Sequence, residues 1–178
     1  MCYNTEMKKI LCLLLFIFLV LPVQAVTLEG SVTYTVEQAR EEAFKDIEWE
    51  IPKQLLRKHR KDPNYTMNMY AKKYSQNVLT DRAITFFSSG SYAYYYFDNP
   101  EYGFFYGEKG NLTMIGKGYS EEYPYKTYKY NLKGKLFSVT FHVSGDECYI
   151  FLPNGKLMGH WIGEVCYDTD GNIRLNRK

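Results

Sequence analysis

Tyr106-Gly-Glu-Lys-Gly110-Asn-Leu112 and Tyr130-Asn-Leu-Lys-Gly134-Lys-Leu136 share one form: an aromatic residue, three residues, Gly, Asn or Lys, then an aliphatic residue. Phe151-Leu-Pro-Asn-Gly155-Lys-Leu157 and Tyr167-Asp-Thr-Asp-Gly171-Asn-Ile173 repeat it. The glycine-to-glycine steps are 24, 21 and 16 residues. The physical reading is a recurrent β-hairpin: a ring on the incoming strand, Gly where the turn needs positive φ, and an aliphatic side chain on the outgoing strand. No such unit can bury its apolar face alone, so neighbouring units must stack.

The surrounding sequence supports strands. Phe137, Val139, Phe141 and Val143 alternate with Ser138, Thr140, His142 and Ser144, the period of a half-buried strand. Tyr92, Tyr94 and Tyr96 alternate with Ala93, Tyr95 and Phe97, which predicts rings on both faces. Turn signals at Ser89-Gly90, Asp98-Asn99-Pro100 and Lys109-Gly110 punctuate the region at roughly 8–12 residues per strand, the spacing of an antiparallel all-β segment.

Upstream of residue 82 the period is helical. Thr35 reads as an N-cap with Gln38 at the capping-box position, and Val36, Ala39, Ala43, Phe44 and Ile47 form one apolar stripe. Pro52 predicts a helix end near Glu50. A short turn around Leu55-Leu56 leads into the basic run Arg57–Lys61. Thr66 is then the expected cap of a second helix, with Met67, Tyr70, Ala71, Tyr74 and Val78 as its apolar stripe. The expected fold class is α+β: N-terminal helices packed on an antiparallel β-meander of eight to ten strands, built from aromatic–Gly–Leu hairpin repeats.

The run Tyr128-Lys-Tyr130-Asn-Leu-Lys-Gly134-Lys-Leu136, then Ser144-Gly145, then Tyr149-Ile-Phe151-Leu-Pro-Asn-Gly155-Lys-Leu157 resembles YD (Rhs-type) repeats. The likeness covers about 50–70 residues. It departs from the YD pattern at Asn131 and Leu152, where the repeats carry Asp, and only Tyr167-Asp168 keeps the Tyr-Asp pair. The resemblance implies an extended sheet in a secreted bacterial protein and carries no activity with it.

Lys8 and Lys9 precede an apolar run from Ile10 to Val20, and Val23 and Ala25 stand at the −3 and −1 positions of a cleavage site. This is the pattern of a secretory signal peptide over residues 1–25, and the run is too short to span a bilayer. The expected organisation is therefore a signal peptide at 1–25, a helical part at 26–81 and an antiparallel β-repeat region at 82–178. Helices and sheet together form one compact domain. The expected location is periplasmic or extracellular, with no transmembrane helix in the mature chain.

Beyond Ala25 the chain has 28 aromatic residues against 24 Ile, Leu and Val, so rings must build much of the core. Each buried ring removes on the order of 150–250 Å² from water. With 22 Lys+Arg against 20 Asp+Glu the net charge is only +2, which excludes a basic nucleic-acid-binding domain of the usual kind.

Chemistry-bearing motifs are sparse. The histidines His59, His142 and His160 have no ligand-pair spacing and Cys-x-x-Cys is absent, so neither a metal nor a cofactor is expected. Asp168-Thr-Asp170-Gly171-Asn172 lacks the downstream acid of a calcium loop and reads better as a turn. Cys148 or Cys166 with His142 or His160 can be drawn as a Cys–His pair, yet the cysteines sit in apolar strand contexts. No nucleophile elbow and no phosphate loop occur, so no catalytic residue is assigned and a non-enzyme is expected. Export permits a disulfide between Cys148 and Cys166. Strands flanking a third lie roughly 9.5 Å apart, however, against the ~7 Å limit of a bridge. The bland alternative is two small buried residues.

The ring-rich strands make Tyr94, Tyr96 and Trp161 the candidate binding residues, with core packing as the competing role. Three functions stay open. The leading one is an exported non-enzymatic β-repeat module that binds, or gives structure to, something at the cell envelope, such as a cell-wall polysaccharide. The second is an inhibitor, immunity or accessory protein for a specific secreted partner. The third is an enzyme with an unrecognised site.

Overall fold

The computed structural model describes residues 34–118, 120 and 122–177. The expected signal peptide at 1–25, the segment 26–33 and Glu121 lie outside the described residues. Among the described residues three helices, α1 (Val36–Phe44), α2 (Lys53–His59) and α3 (Tyr65–Lys73), precede ten strands. The strands are β1 (Arg82–Phe86), β2 (Tyr92–Tyr96), β3 (Asn99–Tyr106), β4 (Leu112–Lys117), β5 (Tyr125–Tyr130), β6 (Leu136–His142), β7 (Glu147–Phe151), β8 (Leu157–Ile162), β9 (Val165–Tyr167) and β10 (Ile173–Asn176). They form one antiparallel sheet in sequence order, a ten-stranded meander. No helix among the described residues is long and apolar enough to cross a membrane.

The repeated segments are hairpins of one geometry. At Gly110, Gly134, Gly155 and Gly171 the glycine N–H donates to the carbonyl three residues back, and φ lies between +72° and +79°. The aromatic residue pairs across the turn with the aliphatic one: Tyr106 with Leu112, Tyr130 with Leu136, Phe151 with Leu157, Tyr167 with Ile173. The register slips by one residue beside each turn, as expected where a left-handed Gly forms a bulge. A fifth copy, Phe86-Phe-Ser-Ser-Gly90-Ser-Tyr92, has the same turn bond, a φ of +82° at Gly90 and Phe86 opposite Tyr92. It escapes the sequence pattern because Ser91 stands where the others carry Asn or Lys and Tyr92 where they carry Leu or Ile.

The helices cover one face. Ala39 and Ala43 of α1 pack on Val139, Phe141, Tyr149 and Phe151. Leu55 and Leu56 of α2 with Met69 and Ala71 of α3 pack on Ile84, Tyr92, Tyr94, Phe104 and Tyr106. Ring stacks run along this face, Tyr92–Tyr106 at 5.5 Å and Tyr94–Tyr106 at 5.1 Å, each worth roughly 0.5–1.5 kcal/mol beyond its buried area.

A second short repeat docks the helices. Ile51 N–H donates to Gly134 O and Leu136 N–H donates to Trp49 O. Eleven residues on, Asp62 N–H donates to Gly110 O and Leu112 N–H to Arg60 O. Each two-bond clasp is followed by Pro, Pro52 or Pro63, and then by a helix. Arg40 Nε donates to Gly155 O at 2.8 Å. The N-terminal chain thus crosses three glycine hairpins in reverse order.

Two helix expectations need correction. Helix α1 keeps its capping box, with Gln38 N–H donating to Thr35 Oγ1 and Thr35 N–H to Gln38 Oε1, but it ends at Phe44 rather than near Glu50. Asp46 takes φ +53° and turns the chain out toward the Gly134 clasp. Helix α3 starts after Asn64, not Thr66, and its expected stripe is turned outward: Met67, Tyr70, Tyr74 and Val78 are exposed. Asn68 and Ala71 are the buried residues. A polar network sets this rotation. Asn68 Nδ2 donates to Asp62 Oδ2, Arg82 Nε donates to Asn68 Oδ1 at 3.0 Å, and Tyr92 OH donates to Asp62 Oδ2. Buried polar groups must be satisfied, and that requirement outweighs the apolar stripe.

Candidate functional site

The face away from the helices divides in two. Over β2–β4 it is filled: the Tyr95 ring lies over Gly103 and the Phe105 ring over Gly116, where a Cβ would stand 2.3 and 3.1 Å from them. Over β5–β9 no described helix covers it, and strand alternation places Thr127, Lys129, Ser138, Thr140, His142, Cys148, Ile150 and Trp161 there. All of these but Ser138 line a cavity of about 340 Å³, together with Ser144, Gly145, Gly163 and Arg177.

Its polar groups are distinct. His142 Nε2 and Thr127 Oγ1 lie 3.1 Å apart, and the His142 ring stacks on Tyr125 at 4.5 Å. Burial, and then the Lys129 ammonium, push the imidazole toward its neutral form. Thr140 is only 8% exposed, and its hydroxyl makes no hydrogen bond with a described residue. The Arg177 guanidinium lies 4.0 Å over the Trp161 ring. A hydroxyl 3.1 Å from an imidazole has nucleophile–base spacing, but no carboxylate among the described residues bonds the other ring nitrogen to orient it.

Cys148 stands opposite His142 in register. Burial pushes its thiol up to about 11, so both partners favour their neutral forms, the reverse of an activated thiolate–imidazolium pair. The cysteines are free thiols, not a disulfide. Cys148 on β7 and Cys166 on β9 both pair with Trp161 of β8, so a whole strand separates them. His160 faces the helix side, stacked on Tyr149 at 3.9 Å with Nε2 2.9 Å from Glu147 Oε1. Tyr149 OH also donates to that carboxylate.

The three candidate ring residues separate. Tyr94 is fully buried, its hydroxyl 3.0 Å from that of Tyr106, which removes it as a surface contact. The low aliphatic content makes such rings core. Tyr96 also faces the helices, where Asn64 Nδ2 donates to its hydroxyl. Trp161 alone lines the uncovered cavity. Thr127, Lys129, Thr140 and Arg177 were not singled out in the sequence. The alternation over 137–144 marks Thr140 as facing away from the core, but nothing local marks Arg177. Among the described residues no group of His, Cys, Asp and Glu is arranged to hold a metal. Comparison with protein-family models, with curated proteins and with solved structures finds no match.

Proposed function

We propose that the protein is an exported, non-enzymatic β-repeat module that binds a polysaccharide of the cell envelope through the uncovered face of β5–β9. The observation that carries this reading is the cavity itself: unpartnered hydroxyl, imidazole, cations and an indole gathered in one concave place. Sugars are read by such mixtures of hydroxyl hydrogen bonds and ring contact. The N-terminal segment with signal-peptide character supports export, and the recurrent glycine hairpins support the kinship with YD-type repeats.

The test is a titration of the protein with peptidoglycan fragments and purified envelope polysaccharides, following indole fluorescence. Trp49→Phe leaves Trp161 as the only indole. Saturable quenching is expected with at least one polysaccharide. No change across the panel overturns the reading. A second reading, an inhibitor, immunity or accessory protein for a specific secreted partner, is favoured by the outward stripe Met67, Tyr70, Tyr74 and Val78.

A further inference from the structure

Two cations border the cavity from opposite sides. Lys129 on β5 is exposed and makes no ion pair or hydrogen bond with a described residue. Arg177 follows β10 and places its guanidinium carbon 4.0 Å over the centre of the Trp161 ring. Only its backbone is bonded, N–H to Glu164 O. Its guanidinium makes no hydrogen bond or ion pair with a described residue, and it carries five N–H donors in a planar fork. Both cations act on the same place: each biases the Cys148 thiol toward ionisation, and Lys129 also biases His142. The acidic residues bordering the cavity are Asp146 and Glu147. Glu147 is turned to Tyr149 and His160, which leaves Asp146 alone against two cations. Thr127 and Thr140 line the same cavity, Thr140 nine-tenths buried and its hydroxyl without a partner among the described residues.

Resting on the polysaccharide reading, we infer that the cavity is built for a saccharide bearing an oxyanion, a carboxylate or a phosphate. The oxyanion sits in the fork of Arg177, Lys129 supplies the second charge, and sugar hydroxyls meet Thr127, Thr140 and neutral His142. Trp161 supports the guanidinium from 4.0 Å. A forked guanidinium discriminates planar oxyanions in a way that an ammonium at the same position does not.

The probes are trigalacturonic acid, glucose 6-phosphate, neutral maltotriose and inorganic phosphate, each titrated into the Trp49→Phe protein and read by Trp161 fluorescence. At least one anionic saccharide is expected to bind about tenfold or more tighter than maltotriose, a difference of about 1.4 kcal/mol. Which of the two does so separates carboxylate from phosphate. Arg177→Lys and Lys129→Met are each expected to abolish that preference with an unchanged melting temperature. Maltotriose binding as tightly as the acids overturns the oxyanion and leaves the polysaccharide reading standing. Inorganic phosphate binding as tightly as the sugar phosphate overturns it too, since the sugar is then not read. Full affinity in Arg177→Lys overturns the assignment of the fork. No binding by these probes, with envelope polysaccharides still quenching, overturns the oxyanion alone. Silence in both titrations overturns both.

Discussion

The two ends of the sheet are built on different rules. At one end five hairpins, turning at Gly90, Gly110, Gly134, Gly155 and Gly171, repeat the same two turn bonds and the same left-handed glycine. At the other end the four connections differ in length and do not share the glycine turn: two are two-residue turns and two are longer. They are Phe97-Asp98, residues 118–124 with a cis Tyr123–Pro124 bond, the bend from Val143 to Asp146, and Gly163-Glu164. The helical layer clasps the regular end, at Gly110, Gly134 and Gly155. The cavity reaches the irregular end, where Ser144, Gly145 and Gly163 line it. Regularity thus marks the part that must stack, and irregularity the part free to be shaped for a ligand, as loops on a rigid scaffold are.

The strongest way to break this contrast is to attack a clasped turn. At Gly134 an added Cβ would stand 3.0 Å from Leu56 Cδ1 and 3.2 Å from Ile51 O, at a φ of +77°. Gly134→Val is expected to cost about 3–5 kcal/mol, because backbone strain and a clash with a clasped carbonyl act together. Gly155→Val meets only the flexible Arg40 side chain at 3.4 Å and is expected to cost about 1–2 kcal/mol. Urea unfolding of both measures the difference. Equal losses would show that the two-bond backbone clasp at Gly134 adds nothing beyond the single Arg40 contact at Gly155.

A smaller effect comes from the helical layer that grips this end. His59 is 3% exposed, stacks on Phe104 at 3.8 Å and has no partner for Nδ1. Burial lowers its pKa to about 4, helped by Lys58 and opposed by Asp62. The unfolded chain binds this proton near pH 6.5 and the folded chain only near pH 4. Stability is therefore full above pH 6.5 and falls as the pH drops from 6.5 to 4, by at most about 3 kcal/mol. Unfolding free energies at pH 7 and pH 5 should show this loss, and His59→Phe, which keeps a ring on Phe104, should reduce it. An unchanged pH dependence in the variant would assign the loss to other groups.

What was legible in the sequence follows the range of the interactions. The capping box of Thr35 and Gln38 is closed by residues three apart, and the glycine turns by residues three to four apart, so local pattern suffices. The rotation of α3 was not legible. It is set by Asn68 bonding Arg82 and Asp62, and an apolar stripe carries no record of such partners. The cavity was half legible. A period of two assigns Thr140 and His142 to the face away from the core, but not whether that face is open, filled by a ring as over Gly103, or hollow. Trp161 could be suspected as a lone indole in a strand. Its platform role depends on Arg177, sixteen residues on, brought back by the last hairpin.

The finest distinction between the ends is one of sign. Gly171, in the last regular turn, has φ +79° and nothing within 4 Å of an added Cβ. Gly171→Ala therefore tests the left-handed backbone alone and is expected to cost about 1 kcal/mol. Gly145, in the β6–β7 bend, does not take positive φ, and its added Cβ would meet only Tyr123 Oη at 3.8 Å, an ordinary contact. With no strain in the folded state, alanine there acts through the unfolded chain, whose freedom it reduces. Gly145→Ala is expected to stabilise by about 0.4–1 kcal/mol. Paired urea titrations should thus move the two midpoints in opposite directions. Movement in the same direction would mean that the irregular end is as conformationally constrained as the regular one, and the division of labour between the ends would lose its backbone basis.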